Sequence, residues 1–209
     1  MIVTLIIVLI IGYFIGCIHG SNAARLMSGV NLKEAGHGNA GASNATLTLG
    51  WKYGVLVALI DIGKGIVAIL LGRLFLYNYT SLPSDQISIL LYILGAAVIL
   101  GHNFPIHMKF RGGKGTASLI GIFITLNWQI CLIALLLLIV VSLLTNYLII
   151  GVFILYIVFA ITALIFEPTI YPFFIVLTLF LLAILLHMEN LNRLCLGTEP
   201  KVTSAFRKR

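Results

Sequence analysis

Seven apolar runs divide the chain, at residues 1–20, 53–77, 86–101, 115–127, 129–144, 147–166 and 169–186. Short polar breaks separate them. Runs of this length and continuity predict membrane-spanning helices. Open sheets are excluded, because a backbone in lipid must satisfy its own hydrogen bonds. The pattern therefore predicts an all-α integral membrane protein, one helical bundle forming a single domain over residues 1–209. The run 115–127 is short. At about 1.5 Å per residue it covers roughly 20 Å of a ~30 Å hydrocarbon core. It is either an imperfect span or the first half of one helix that ends near Leu144.

Charge separates these alternatives. Of the thirteen Lys and Arg residues, only Arg73 falls on the face that also holds Asp85 and Glu167, if there are seven spans. Arg25, Lys33, Lys52, Lys109, Arg111, Lys114, Arg193, Lys201, Arg207, Lys208 and Arg209 then share the other face, with Lys64 about one turn inside it. Merging 115–144 would move the basic tail across the membrane. The positive-inside rule favours a seven-transmembrane-helix bundle, N-terminus outside and C-terminus cytoplasmic.

Composition agrees. The chain is 61% hydrophobic and 9% charged, where a soluble domain carries about a quarter charged residues. The net charge of +7 is explained by that asymmetry, and no nucleic-acid partner is expected. The opening MIVTLIIVLIIGYFIG lacks a basic leader and a small-residue cleavage site, so it reads as a retained first helix. Cys17, Cys131 and Cys195 are scattered and predict buried thiols rather than disulfides or a metal site.

The polar chemistry gathers in three stretches, 16–65, 101–116 and 187–201, all on the cytoplasmic side of this topology. The first includes GHGNAGASNATLTLG (36–50), too polar to span and too rich in glycine for a stable helix. It also holds Asp61 and Lys64, three apart in an apolar run, where ionisable groups are expensive and usually paired. The second contains R-G-G-K-G-T (111–116), which runs into an apolar segment. Its glycines let backbone N–H groups approach an anion, its lysine adds charge, and a following helix adds a positive N-terminus. The Walker A spacing is absent. Lys109 and Arg111 suit plain membrane anchors. The third holds His187 and Asn190 on one face if the last span continues. His187 is a candidate general base, and Glu189 a structural partner for Arg193. Gly197 and Pro200 end the helix. His19, His102 and His107 have weaker context.

Taken together, GHGNAGASN (36–44), DIGKG (61–65), GHNFPIHMKFRGGKG (101–115) and HMENLNRLCLGTEPK (187–201) resemble the bacterial acyl-phosphate:glycerol-3-phosphate acyltransferases, the PlsY family. Order and spacing match through nearly the whole chain. The resemblance implies a seven-helix enzyme of the bacterial inner membrane with its site on the cytoplasmic face. It implies acyl transfer from acyl phosphate to position 1 of glycerol 3-phosphate, giving lysophosphatidic acid and phosphate, with no cofactor and no metal. By position, Asn39, Asn44, Lys114, His187 and Asn190 line the phosphates and the acceptor. Gly36, Gly38 and Gly41 of the first loop join Asn44 as substrate- and phosphate-binding positions, Gly112, Gly113 and Gly115 supply backbone donors, and Asp61, Lys64 and Glu189 are structural. The expected partners are the two substrates and membrane lipid, with the protein a monomer.

The first motif departs from the family pattern. Where the family has serine and arginine, this chain has His37 and Leu47, and G-S-[IVL]-P is replaced by Gly16-Cys17-Ile18-His19. Leucine cannot supply arginine's planar fork. One lost charge-assisted contact costs about 1.5–3 kcal/mol, or ten- to a hundredfold in affinity. A protonated His37, or Lys52 reaching back, are the candidate substitutes. The departure leaves open a relative acting on another phosphate-bearing acceptor, and a non-catalytic relative that binds acyl phosphate or lipid.

Overall fold

The computed structural model describes residues 1–206, so Arg207, Lys208 and Arg209 lie outside the described residues. The α-helices of the described chain are α1 (Ile2–Gly16), α2 (Gly20–Ser28), α3 (Ala42–Leu49), α4 (Trp51–Tyr79), α5 (Ser84–Asn103), α6 (Thr116–Leu126), α7 (Trp128–Thr145), α8 (Leu148–Phe166), α9 (Tyr171–Leu186) and α10 (Met188–Cys195). All seven apolar runs are helices. Five helical stretches are long and apolar enough to cross a membrane: Ile2–Ser28, Trp51–Tyr79, Ser84–Met108, Trp128–Thr145 and Leu148–Phe166. The α9–α10 pair, bent by 55°, makes a sixth if it is one span. The chain is an integral membrane protein.

Helix α6 has 11 residues, about 16 Å of rise, short of a full span. It does not continue into α7. Asn127 breaks the run, and its side-chain oxygen accepts the Ile130 N–H at 3.1 Å, an N-cap that starts a new helix.

Chain contacts define two compact units, Met1–Leu126 and Asn127–Arg209. In the first, α1 lies along α5 and α4 along α6. Small residues make these approaches close, as helices packing in lipid require. A methyl on Gly12 would stand 2.8 Å from the Ala97 Cβ, and one on Gly65 2.6 Å from the Ser118 carbonyl oxygen. In the second unit α8 packs against both α7 and α9. Its buried Tyr156 stacks on Phe180 of α9, ring centroids 5.7 Å apart.

Candidate active site

The polar centre of the first unit is built on α4. Asp61 and Lys64, one turn apart, are 1% and 5% exposed and form an ion pair at 3.2 Å. A buried pair is tolerated when further hydrogen bonds satisfy both partners. The Lys64 ammonium donates to the carbonyls of Gly16 at 2.9 Å and Ile18 at 2.6 Å. These carbonyls lie at the end of α1, where intrahelical partners run out. Asp61 Oδ1 accepts the Gly20 N–H at 3.2 Å, at the start of α2. The pair thus clamps the break between α1 and α2 from both sides of His19.

Lys64 also reaches His102 Nδ1 at 2.7 Å. His102 closes α5 and is stacked face to face on His19, centroids 4.5 Å apart and planes 20° apart. The exposed His107 stands 6.0 Å from His19, edge on, and its Nε2 meets the Asn22 amide at 3.3 Å. His19 is buried, with neither ring nitrogen hydrogen-bonded among the described residues. Ligating atoms of His19, Asp61 and His102 lie within 4.8 Å of one another. That spacing alone would suit a divalent ion. The stacked rings oppose it, since imidazole lone pairs lie in the ring plane and those of stacked rings do not converge. The Lys64 ammonium already occupies the cationic position between Asp61 and His102.

The turn at 104–115 returns from α5 to α6. Lys109 and Phe110 take left-handed conformations, φ 53° and 59°, which side chains other than glycine adopt at a cost. The expectation that Gly112 and Gly113 offer backbone donors to an anion is not met. Gly112 N–H donates to the Asn103 carbonyl at 3.0 Å and Gly113 N–H to the His102 carbonyl at 3.1 Å. These glycines are needed for close approach: a Cβ at 113 would strike the His102 ring and one at 112 the His102 carbonyl. Gly115 has φ +84° and leads into the first turn of α6. Lys114 beside it is half-buried.

The first loop is organised from within by Asn44. Its amide nitrogen donates to the carbonyls of Leu32 (2.9 Å), Ala35 (3.0 Å) and Asn39 (2.8 Å). Its oxygen accepts the His37 N–H at 2.8 Å and the Thr48 hydroxyl at 3.3 Å. Asn44 is 2% exposed and spends its polar capacity on the loop, which corrects the expectation that it binds phosphate. Gly36 and Gly38 hold φ of +61° and +66°, which the tight turns require. Gly41 caps α3. The Asn39 side chain is half-buried, His37 is exposed, and Leu47 on α3 is half-buried. Lys52 is exposed in the first turn of α4 and makes no hydrogen bond or ion pair to the loop among the described residues.

In the second unit His187 sits at the α9–α10 break. The straight continuation that would put His187 and Asn190 on one face is therefore replaced by the 55° bend. His187 Nδ1 lies 2.7 Å from the Ala183 carbonyl. A carbonyl only accepts, so Nδ1 carries the hydrogen and the neutral ring's lone pair falls on Nε2. Arg193 does not pair with Glu189. Its Nε donates to Glu199 Oε2 at 2.8 Å, and the Asn190 amide donates to Glu199 Oε1 at 2.6 Å. Glu189 is exposed in the first turn of α10, where it complements the helix dipole. Glu199 was not singled out from the sequence. Its signal is position: a carboxylate two residues after Gly197, where the chain folds back on α10.

An all-helical membrane protein with a buried ion-pair clamp beside a lysine-bearing glycine turn, and a histidine at a broken helix, is the class these features define. The sequence matches the family described as glycerol-3-phosphate acyltransferase over residues 6–197, and the chain belongs to that family. It is 46% identical to "Glycerol-3-phosphate acyltransferase 1" of Oceanobacillus iheyensis, covering 98% of each chain. It is 36% identical to "Glycerol-3-phosphate acyltransferase" of a Thermoanaerobacter species, over 92% of this chain and 93% of the relative. The fold is similar to a crystal structure of PlsY (YgiH), an integral membrane glycerol 3-phosphate acyltransferase, in its glycerol 3-phosphate form. That match has a TM-score of 0.82 at 29% identity and covers 94% of each chain. The lysophosphatidic acid form of the same protein matches with a TM-score of 0.80.

Proposed function

We propose that the chain transfers a fatty acyl group from acyl phosphate to the 1-hydroxyl of glycerol 3-phosphate. The acceptor oxygen attacks the acyl carbonyl carbon, the bond from that carbon to the phosphate oxygen breaks, and the hydroxyl proton leaves with the phosphate. Lysophosphatidic acid and inorganic phosphate result. The observation that carries this reading is similarity along almost the full length to glycerol-3-phosphate acyltransferases. The lysine-bearing glycine turn supports it, because both substrates bear phosphate.

The roles we assign follow the resemblance as the geometry amends it. Lys114 and Gly115 bind phosphate at the start of α6. Asn39 and His37 serve the rim of the first loop, with Gly36, Gly38 and Gly41 shaping it around Asn44. His187 and Asn190 handle the acceptor, with Asn190 oriented by Glu199. Asp61 and Lys64 are structural. In the bilayer we assign seven spans, with α6 a short one, in a single catalytic domain. The N-terminus is outside and the site faces the cytoplasm across the bacterial inner membrane. The protein acts as a monomer.

Product analysis tests the reading. Purified protein given palmitoyl phosphate should form lysophosphatidic acid from glycerol 3-phosphate and no acylated product from glycerol. Equal acylation of glycerol would remove the phosphate requirement on which the assignment rests.

A further inference from the structure

We propose that His102 is a phosphate-contacting residue of this chain, held by Lys64 as the tautomer whose Nε2–H faces the Gly112–Gly115 turn. An ammonium has three donors and no acceptor. His102 Nδ1, 2.7 Å from Lys64 Nζ, must therefore accept, and the neutral ring carries its hydrogen on Nε2. The competing acceptor on that side, Asp61 Oδ1, is 3.7 Å from Nδ1, beyond hydrogen-bond reach. Its attraction is directed to Lys64 and to the Gly20 N–H instead.

The ring has one orientation available. His19 covers one face at 4.5 Å, and the edge bearing Nε2 abuts Gly113, where a Cβ would collide with Nε2, Cε1 and Cδ2. His102 is 2% exposed, yet Nε2 has no hydrogen-bond partner among the described residues. Nε2 thus stands against the Gly113 turn as a donor without a protein partner, so the arrangement suits a ligand that brings the acceptor. The turn itself is short of donors, because the N–H groups of Gly112 and Gly113 are committed to the Asn103 and His102 carbonyls. An anion seated there draws on Lys114, on the first turn of α6 and on the imidazole. Beside Gly115 the buried Asn103 Oδ1 is also unpartnered, and it accepts from a hydroxyl or a protonated phosphate oxygen.

This inference rests on the acyltransfer reading for the identity of the phosphate, which belongs either to glycerol 3-phosphate or to the acyl donor. Two variants test it. His102→Asn keeps an acceptor near Nδ1 for Lys64 and removes the donor at the turn. His102→Gln restores an N–H near the Nε2 position. His102→Asn should raise KM for one of the two phosphate substrates about tenfold, and His102→Gln should recover most of that loss. The substrate whose KM moves is the one whose phosphate lies at the turn. Unchanged KM for both substrates, or equal loss in both variants, would overturn the proposal.

If His102→Asn does not fold, the wild-type protein with 15N-labelled histidine decides, with the His102 signals assigned by their absence from the His102→Gln spectrum. Protonated Nε2, unprotonated Nδ1 and an Nε2 signal that moves on adding glycerol 3-phosphate or inorganic phosphate are expected. A hydrogen on Nδ1, or an Nε2 signal unmoved by either, refutes the assignment. Inorganic phosphate needs no turnover, so this titration separates failure of the contact from failure of the acyltransfer reading.

Discussion

Asn44 holds four hydrogen bonds to the first loop and one to Thr48 of α3 from a single side chain. Replacing it with alanine strands three carbonyls and the His37 N–H, at about 1–3 kcal/mol for each group that stays buried. Asn44→Ala should therefore speed amide hydrogen exchange across residues 32–44 in protein without substrate. Exchange unchanged without substrate would mean the loop holds itself. Gly113→Ala should abolish activity in a folded protein, because the methyl strikes the His102 ring. Gly63→Ala on α4 meets nothing within 4 Å and should be neutral or more stable by up to about 1 kcal/mol. Activity and thermal unfolding in detergent would show both. The sequence made these glycines and asparagines visible as unusual backbone. It could not say which atoms use them, since the partners of Asn44 are carbonyls up to twelve residues away, brought near only by the folded loop.

At the scale of elements, the Asp61–Lys64 pair fixes the break between α1 and α2 and holds His102 through Lys64. Lys64→Met should cost about 3–5 kcal/mol, because it leaves a buried carboxylate unpaired. Adding Asp61→Asn should recover part of that loss. A milder single than double variant in denaturant unfolding would mean the pair is not coupled as the geometry shows. Just past α10, Glu199→Gln should lower activity by weakening the holds on Asn190 and Arg193, while Glu189→Gln in the first turn of α10 should leave it near wild type. The helices themselves were legible from apolar runs, and the pairing of Asp61 with Lys64 from their spacing. The break at His187 was not. It falls where the apolar run 169–186 gives way to polar residues, and no proline or glycine there announces a bend rather than a straight continuation. Glu199 lies past Gly197, and a contact made by a chain that turns back leaves no helical periodicity.

At the scale of the molecule, apolar helices hold the protein in the membrane, and polar groups gather at helix ends, breaks and turns, with the Asp61–Lys64 pair inside α4 the buried exception. Substrates with a charged phosphate and a long acyl chain need such a division, the phosphate among donors and the chain in lipid. The class and the family were legible because long motifs recur in order. The departures at His37 and Leu47 were also legible, but their weight was not, because the strength of a site depends on every donor that surrounds the anion, including His102. The most direct test is phosphate release from palmitoyl phosphate by purified protein, with and without glycerol 3-phosphate. Release that depends on the acceptor, matched by lysophosphatidic acid formed, is predicted. No release under either condition, from folded protein beside an active relative, would contradict the assignment and show that this site does not work without an arginine at position 47.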